Sequence, residues 1–148
     1  MAKTVLVTGA SKGIGKSIAK VLCDSGYDVF LCARNEFLLK NVANEIGAKG
    51  FFACDLTDIE ACENLVKKIG QIDILINNAG AYVWSPVEDT KQTDIENLIN
   101  LNIKAPYFLT NLVVPQMKKQ KWGRIINIGS ISGVVGEANA SLYSMTKS

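Results

Sequence analysis

The chain has 148 residues, of which 48% are hydrophobic, and its 16 basic and 14 acidic residues give a formal net charge of +2. This length predicts one domain, residues 1–148, and the composition excludes an intrinsically disordered chain. Because charges of both signs are scattered along the sequence, we expect no nucleic-acid partner.

Histidine is absent from the sequence. Ser-His-Asp and Cys-His catalysis are therefore excluded within this chain, as are histidine-based metal sites, and we expect no metal site. Any acid–base chemistry near neutral pH must come from tyrosine, lysine, aspartate, glutamate or cysteine in a shifted environment.

The amino terminus and the cysteines indicate in which cellular compartment the protein lies. Met1-Ala2-Lys3 leads directly into an apolar run, which leaves no room for a signal peptide, and no run reaches the length of a membrane span. The four cysteines (Cys23, Cys32, Cys54 and Cys62) have no C-x-x-C spacing. We therefore expect a cytoplasmic protein with reduced, structural thiols and no membrane partner.

Strands and helices alternate in the predicted element order. Apolar runs predict strands at 4–7, 29–32, 51–54, 72–76 and 124–128, and helical spacing predicts helices between them, the longest from about 93 to 119. The second helix is expected to bury Phe37, Leu38, Val42 and Ile46, and the third to be capped by Asp55 or Thr57. Near-continuous apolar strands are typical of parallel sheets, so the pattern predicts an α/β, three-layer, doubly wound parallel sheet.

A glycine-rich turn follows the first predicted strand, with the sequence Thr8-Gly9-Ala10-Ser11-Lys12-Gly13-Ile14-Gly15. Glycines let the backbone turn sharply and let a ligand approach closely. The helix that follows adds unpaired N–H groups and the positive end of its dipole, so the turn suits a pyrophosphate. Its spacing is not the usual G-x-G-x-x-G, and taken alone it is as well explained as a simple turn.

Small or polar residues follow the other predicted strands as well. They are Ala33-Arg34, Asp55-Leu56, Asn77-Asn78-Ala79-Gly80 and Gly129-Ser130. In a doubly wound sheet, ligands bind outside the carboxyl ends of the strands, near the point where the strand order reverses. The sequence therefore predicts one crevice that binds a dinucleotide.

The residues after the second strand predict which dinucleotide binds. A carboxylate for the ribose is expected about 20 residues past the glycine turn, but Arg34 occupies that region and the first acid is Glu36. Arg34 and Lys12 can bind a 2′-phosphate, which favours NADP over NAD. A solvated loop arginine is the alternative. Asp55 is a candidate partner for the adenine amino group or a helix cap.

Tyr143 and Lys147 are four residues apart, so they share one face of a helix. A nearby lysine cation favours the phenolate, and we expect it to lower the tyrosine pKa from about 10. Ser130, at the end of the fifth strand, is placed to bind the same substrate oxygen. Alone, the Tyr-x-x-x-Lys spacing is weak evidence, since an exposed helix pair is its usual explanation.

Together these motifs resemble the short-chain dehydrogenase/reductase family. The matching residues, in family order along the chain, are Thr8 to Gly15, Asn77 to Gly80, Asn102, Ser130 and Tyr143-Ser144-Met145-Thr146-Lys147. The resemblance implies a Rossmann fold and an oxidoreductase that moves hydride between NADP(H) and a carbonyl or secondary alcohol. Within the family, the sequence most resembles the 3-oxoacyl-carrier-protein reductase and glucose/ribitol dehydrogenase branches. Nothing in the sequence distinguishes between these two branches. An extended-type nucleotide-sugar epimerase fits less well.

The resemblance also implies roles for individual residues. The catalytic tetrad would be Asn102, Ser130, Tyr143 and Lys147, with Tyr143 as the acid or base and Lys147 also binding the nicotinamide ribose. The cofactor-binding residues would be Gly9, Ser11, Lys12, Gly13, Ile14, Gly15, Arg34, Asp55, Leu56, Asn78, Ala79, Gly80, Tyr143 and Lys147.

Asn102 has a physical explanation of its own, because Pro106 has no N–H to donate to its carbonyl. In the family this carbonyl holds a proton-relay water. An ordinary mid-helix asparagine beside a proline kink is the alternative. Tyr82 and Trp84, just past Gly80, are candidates either for substrate contact or for packing of a lid.

The sequence departs from the family where it stops, at Ser148. Members of the family continue with further strands and a substrate-binding loop, so we expect a fold truncated after the fifth strand and a homo-oligomer when full length. The alternative to an active enzyme is a catalytically inactive, truncated dinucleotide-binding module.

Overall fold

Five parallel strands form the centre of the computed structural model, which describes residues 2–148. In chain order they are β1 (Thr4–Thr8), β2 (Asp28–Ala33), β3 (Gly50–Ala53), β4 (Ile74–Asn77) and β5 (Arg124–Asn127). In space the order is β3-β2-β1-β4-β5, and each neighbouring pair is parallel. The order reverses between β1 and β4, which is where a ligand crevice is expected.

Helices connect the strands and cover both faces of the sheet. They are α1 (Gly13–Asp24), α2 (Glu36–Ile46), α3 (Ile59–Ile69), α4 (Gln92–Ile99), α5 (Ala105–Lys119) and α6 (Ser141–Lys147), with short 3₁₀ turns at Val87–Asp89 and Ile131–Gly133. Within residues 2–148, none of these helices is both long and apolar enough to cross a membrane.

Alternate residues of β1 face two separate cores. Val5 and Val7 pack with α1 and α2, whereas Leu6 packs with α3 and α5. All three side chains are fully buried. This two-sided burial explains why the strands read as continuous apolar runs, and it confirms the predicted three-layer, doubly wound sheet.

The long helical pattern predicted from about 93 to 119 is divided by a π-helical turn, Asn100–Lys104, between α4 and α5. In this turn the N–H of Ala105 donates to the carbonyl of Asn100, five residues back. The next residue, Pro106, has no N–H to donate, so the regular ladder is broken at this point. A π turn of this kind often lies at a functional site.

Two local predictions are wrong. The cap of α3 is Asp58, whose carboxylate accepts the Ala61 N–H at 3.1 Å, and not Asp55 or Thr57. Phe37 and Leu38 are exposed, by 72% and 41%, because the buried stripe of α2 is formed by Leu39, Val42, Ala43 and Ile46. Both errors concern the first turn of a helix. There the spacing of apolar residues does not determine which residue caps the helix or which side chains are buried.

Candidate active site

A cleft of about 830 Å³ opens at the carboxyl ends of β1, β2, β3 and β4. The structure brings together there every predicted cofactor-binding residue except Tyr143 and Lys147. Those in its lining are Gly9, Ser11, Lys12, Gly13, Ile14, Gly15, Arg34, Asp55, Leu56, Asn78, Ala79 and Gly80. Leu38 and several residues of α4 line the same cleft and were not predicted from the sequence.

The glycine turn lies directly against the segment that follows β4. Gly9 has a φ of +65°, and a Cβ built on it would lie 2.8 Å from the Cα of Ala79. A Cβ on Gly15 would overlap the Asn78 side-chain nitrogen and the Gly9 carbonyl oxygen. The close packing of the glycine turn against this segment therefore requires glycine at both positions.

Thr8 fixes this contact with its side-chain oxygen. Thr8 Oγ1 donates to the carbonyl of Ile76 at 3.2 Å and accepts the backbone N–H groups of Asn78 and Ala79 at 3.0 Å each. In return, Asn78 Nδ2 donates to the Thr8 carbonyl at 2.9 Å. The ends of β1 and β4 are thus held in one position relative to each other.

The first turn of α1 is suited to an anion. Among the described residues, no side chain caps this helix and no acidic residue lies in its first turn. In contrast, Asn35 caps α2 and Asp58 caps α3. The unpaired N–H groups of α1 and its dipole lie at the cleft that Gly13, Ile14 and Gly15 line, and this arrangement fits a pyrophosphate.

Charged side chains also line the cleft. Arg34 and Lys12 are exposed, and both line it. Asp55 accepts the backbone N–H and the hydroxyl of Thr57 on one oxygen, at 3.0 and 2.8 Å. These two hydrogen bonds, with a smaller contribution from the Arg34 charge, lower the pKa of Asp55. Asp55 is therefore an ionised carboxylate that does not cap α3.

Lys147 connects α6 to the rim of the cleft. Its ammonium nitrogen donates to the Ile128 carbonyl at 3.1 Å and lies 5.9 Å from the ring centre of Tyr143. The same nitrogen would lie 3.5 Å from a Cβ on Gly80, which lines the cleft. The structure therefore places the Tyr143–Lys147 pair beside the segment that follows β4.

Asn102 is buried in the π turn, and its side chain is fully engaged. Its Oδ1 accepts the N–H of Ala81 at 2.8 Å, and its Nδ2 donates to the Ala81 carbonyl and to Thr146 Oγ1, each at 2.9 Å. This role of the Asn102 side chain was not predicted from the sequence, where only its backbone carbonyl had a physical explanation. Thr146, whose hydroxyl side chain comes directly before Lys147, was the available signal in the sequence for this contact.

A second cleft, of about 530 Å³, adjoins the first. Asn102, Thr146 and Lys147 line it, and Ala79 lines both clefts. Ser130 and Tyr143 are outside these two linings and are half-buried. Ser130 Oγ accepts the N–H of Ser132 at 3.2 Å, and since a hydroxyl both accepts and donates, its own proton can still be donated.

Tyr82 packs against Tyr143 edge to face, with ring centres 4.9 Å apart and planes at 73°. The Tyr82 hydroxyl donates to one oxygen of Glu137 at 3.1 Å, and the Ser132 hydroxyl donates to the other at 3.3 Å. Burial, followed by the Glu137 hydrogen bond, raises the pKa of Tyr82. Tyr82 is thus a neutral neighbour of Tyr143, and Glu137 was not predicted from the sequence. Trp84 is 62% exposed.

Comparison with known proteins supplies independent information. The model of the short chain dehydrogenase family matches residues 3–148. The chain is 37% identical over 146 residues to the 3-oxoacyl-[acyl-carrier-protein] reductase FabG of Rickettsia typhi, covering 98% of this chain and 61% of that protein. It is 36% identical over 151 residues to an uncharacterized oxidoreductase of Staphylococcus aureus, covering 98% of this chain and 65% of that protein.

A solved structure is similar in both fold and sequence. The crystal structure of a metagenomic short-chain oxidoreductase in complex with NADP has a TM-score of 0.92 and 36% identity, covering 98% of this chain and 70% of that one. The chain spans less than two thirds of the length of the two curated relatives, 61% and 65%.

Proposed function

The chain belongs to the short-chain dehydrogenase family, and from this membership we propose that it forms the dinucleotide-binding part of an NADP(H)-dependent oxidoreductase. The proposed reaction interconverts a carbonyl and a secondary alcohol. One observation carries the proposal: the Lys147 ammonium would lie 3.5 Å from a Cβ on Gly80, at the rim of the cleft that contains the glycine turn. The lysine that shares helix α6 with the candidate proton donor Tyr143 thus lies at the rim of the proposed cofactor site.

The cleft would hold the dinucleotide through several groups. The uncapped start of α1 binds the pyrophosphate, and Arg34 with Lys12 binds a 2′-phosphate. The NADP found with the metagenomic relative supports this choice over NAD. Asp55 and Leu56 lie where the adenine would reach. When bound, the nicotinamide supplies or accepts the hydride.

In the proposed mechanism Tyr143 moves the proton. During reduction its hydroxyl donates a proton to the substrate oxygen. During oxidation its phenolate accepts the proton from the substrate hydroxyl. The Lys147 cation, 5.9 Å from the centre of the Tyr143 ring, would stabilise the negative charge that develops on the phenol as the proton leaves. The Ser130 hydroxyl donates to the same substrate oxygen and orients it. Following the family, the backbone carbonyl of Asn102 would hold a relay water.

The substrate proposed is a small molecule with a carbonyl or secondary alcohol group. The name of the Rickettsia relative points to a 3-oxoacyl thioester as the first candidate to test. We also propose that the complete protein is a homo-oligomer, as the resemblance to the family implies.

Two measurements on the complete product of the reading frame test this proposal. The first titrates NADPH against nicotinamide fluorescence, and the second follows NADPH oxidation with 3-oxoacyl thioesters, simple ketones and sugars. Saturable binding with turnover of at least one carbonyl class supports the proposal. Binding without turnover supports an inactive dinucleotide-binding module instead, and absence of NADPH binding contradicts both.

A further inference from the structure

The carboxylate of Glu137 accepts hydrogen bonds from two hydroxyl groups that belong to different segments of the chain. The Tyr82 hydroxyl, from the loop after β4, donates to Oε1 at 3.1 Å. The Ser132 hydroxyl, from the 3₁₀ turn after β5, donates to Oε2 at 3.3 Å. Each carboxylate oxygen thus holds one donor, and a charged acceptor makes such bonds stronger than bonds between neutral groups.

The first of these hydroxyls belongs to the side chain that supports the candidate proton donor. The Tyr82 ring packs edge to face against the Tyr143 ring, with ring centres 4.9 Å apart. Glu137 holds the hydroxyl end of the Tyr82 side chain, and the ring of Tyr82 in turn contacts Tyr143. Because an edge-to-face pair has a preferred geometry, a change in the position of Tyr82 also changes the position that Tyr143 prefers.

The second hydroxyl leads to the side chain that is proposed to orient the substrate oxygen. Ser132 is buried, and its backbone N–H donates to Ser130 Oγ at 3.2 Å. This bond uses the Ser130 oxygen as an acceptor, so the Ser130 proton is still available for the substrate. By holding the Ser132 side chain, Glu137 helps to keep this N–H in place.

The same two segments are joined through the backbone as well. The N–H of Ser85 donates to the carbonyl of Asn139 at 2.7 Å. Asn139 has a φ of +60°, in the left-handed region that asparagine tolerates better than most residues. The N–H of Ala140 donates to the carbonyl of Glu137 at 3.2 Å. Glu137 therefore lies in a turn whose backbone is held against the loop after β4.

We propose that Glu137 is a positioning residue, whose carboxylate places the Tyr143 ring through Tyr82 and the Ser130 hydroxyl through Ser132. The proposal rests on the proposed function, because it assigns the proton transfer to Tyr143. Glu137, Tyr82 and Ser132 are outside the linings of both clefts. Glu137 thus acts through the residues that it holds.

Kinetics on the complete product of the reading frame test the proposal, with the carbonyl that the wild type reduces. Glu137→Ala removes both acceptors and should lower kcat about tenfold, because a displaced proton donor reacts far more slowly. The KM for the carbonyl and the affinity for NADPH should change far less, since Glu137 lines neither cleft. Glu137→Gln keeps one oxygen acceptor, so its kcat should lie between those of the alanine variant and the wild type.

A double variant separates positioning from a general effect on the fold. Tyr82→Phe keeps the ring but removes the hydroxyl that donates to Glu137, so kcat should fall by less than in Glu137→Ala. Adding Tyr82→Phe to Glu137→Ala should cause no further loss, because the hydrogen bond is already gone. Glu88→Ala is the matched control, since Glu88 is an exposed glutamate in the 3₁₀ turn of the same loop, and its kcat should equal that of the wild type.

Amide hydrogen exchange measures the same contacts without relying on activity. Glu137→Ala should speed exchange in segments 81–86 and 131–140 and leave exchange in the strands unchanged. A wild-type kcat in Glu137→Ala would overturn the inference, as would additive losses in the double variant.

Failure of the wild type to reduce any carbonyl would contradict the proposed function instead. In that case, faster exchange confined to the two segments would still support the positioning contacts, and unchanged exchange would overturn them. The Glu137→Gln and Tyr82→Phe variants decide these points if Glu137→Ala fails to fold.

Discussion

The side chain of Asn102 donates a hydrogen bond to the hydroxyl of Thr146 over 2.9 Å, within the interior of the protein. The same side chain pairs with both backbone groups of Ala81. Three separate segments meet at this amide: the π turn, the loop after β4, and α6. Because Thr146 precedes Lys147 on α6, this hydrogen bond helps to set where the candidate catalytic helix lies.

Replacing Thr146 by valine keeps its shape and removes the hydroxyl. A buried Asn102 donor then loses its partner, and we expect the free energy of unfolding to fall by about 1–3 kcal/mol. Urea denaturation measures the change. Thr146→Ser retains the hydroxyl, so its free energy of unfolding should fall by less than that of the valine variant. Equal stability of the valine variant and the wild type would show that the hydrogen bond contributes nothing.

Gly15→Ala tests the close packing of the glycine turn against the segment that follows β4. The added Cβ would overlap the Asn78 side chain and the Gly9 carbonyl, so we expect a loss of about 1–3 kcal/mol in stability and weaker NADPH binding. Thermal unfolding and NADPH titration report the two effects. Gly136→Ala is the matched control, since a Cβ there meets nothing within 4 Å. If both alanine variants behave alike, the packing does not require glycine at position 15.

Arg34→Asp tests the preference for NADP. Removing a cation from the cleft and adding a carboxylate should weaken NADPH binding by about tenfold to a hundredfold and should weaken NADH binding far less. Fluorescence titration with both dinucleotides measures the ratio. Arg124→Asp, an exposed position at the start of β5, should leave both affinities unchanged. Equal losses for NADPH and NADH in the Arg34 variant would refute the assignment.

The contribution of Asp73 to the free energy of unfolding depends on pH. Burial raises its pKa, but hydrogen bonds from the Thr4 N–H at 2.9 Å and from Gln71 and Gln120 at 3.1 Å outweigh this, so the net shift is downward. A carboxyl with a lowered pKa stabilises the fold above the unfolded-state value, about 3.9, and this stabilisation is lost as the pH falls through the folded-state value.

Asp73→Asn should therefore reduce stability at neutral pH by about 1–3 kcal/mol and flatten the decline of stability in acid. Urea unfolding between neutral and acidic pH measures both effects. Asp24→Asn, in an exposed pair with Lys20, should change the profile little. An Asp73 variant with the full acid-induced decline of the wild type would contradict this explanation.

The sheet was predictable because its strands carry a strong local signal. Val5, Leu6 and Val7 are apolar in succession, which only a strand buried on both faces explains, and the order of elements then determines the doubly wound sheet. The lining of the cleft followed from the same reasoning, because parallel strands present their carboxyl ends at one edge.

What the sequence did not reveal depends on contacts between distant residues. Thr146 and Asn102 are 44 positions apart, and Tyr82 and Glu137 are 55 apart, so no local pattern links them. The cap of α3 at Asp58 was missed for a different reason, because several neighbouring polar residues could serve and only the backbone geometry selects one.

Tyr143→Phe is the decisive variant for the proposal that Tyr143 transfers the proton beside a dinucleotide held in the cleft. NADPH-linked carbonyl reduction should fall by about a hundredfold or more, while NADPH affinity by titration should fall far less, since only the hydroxyl is removed. If the phenylalanine variant reduces carbonyls at the wild-type rate, Tyr143 is not the proton donor and the proposed mechanism is wrong.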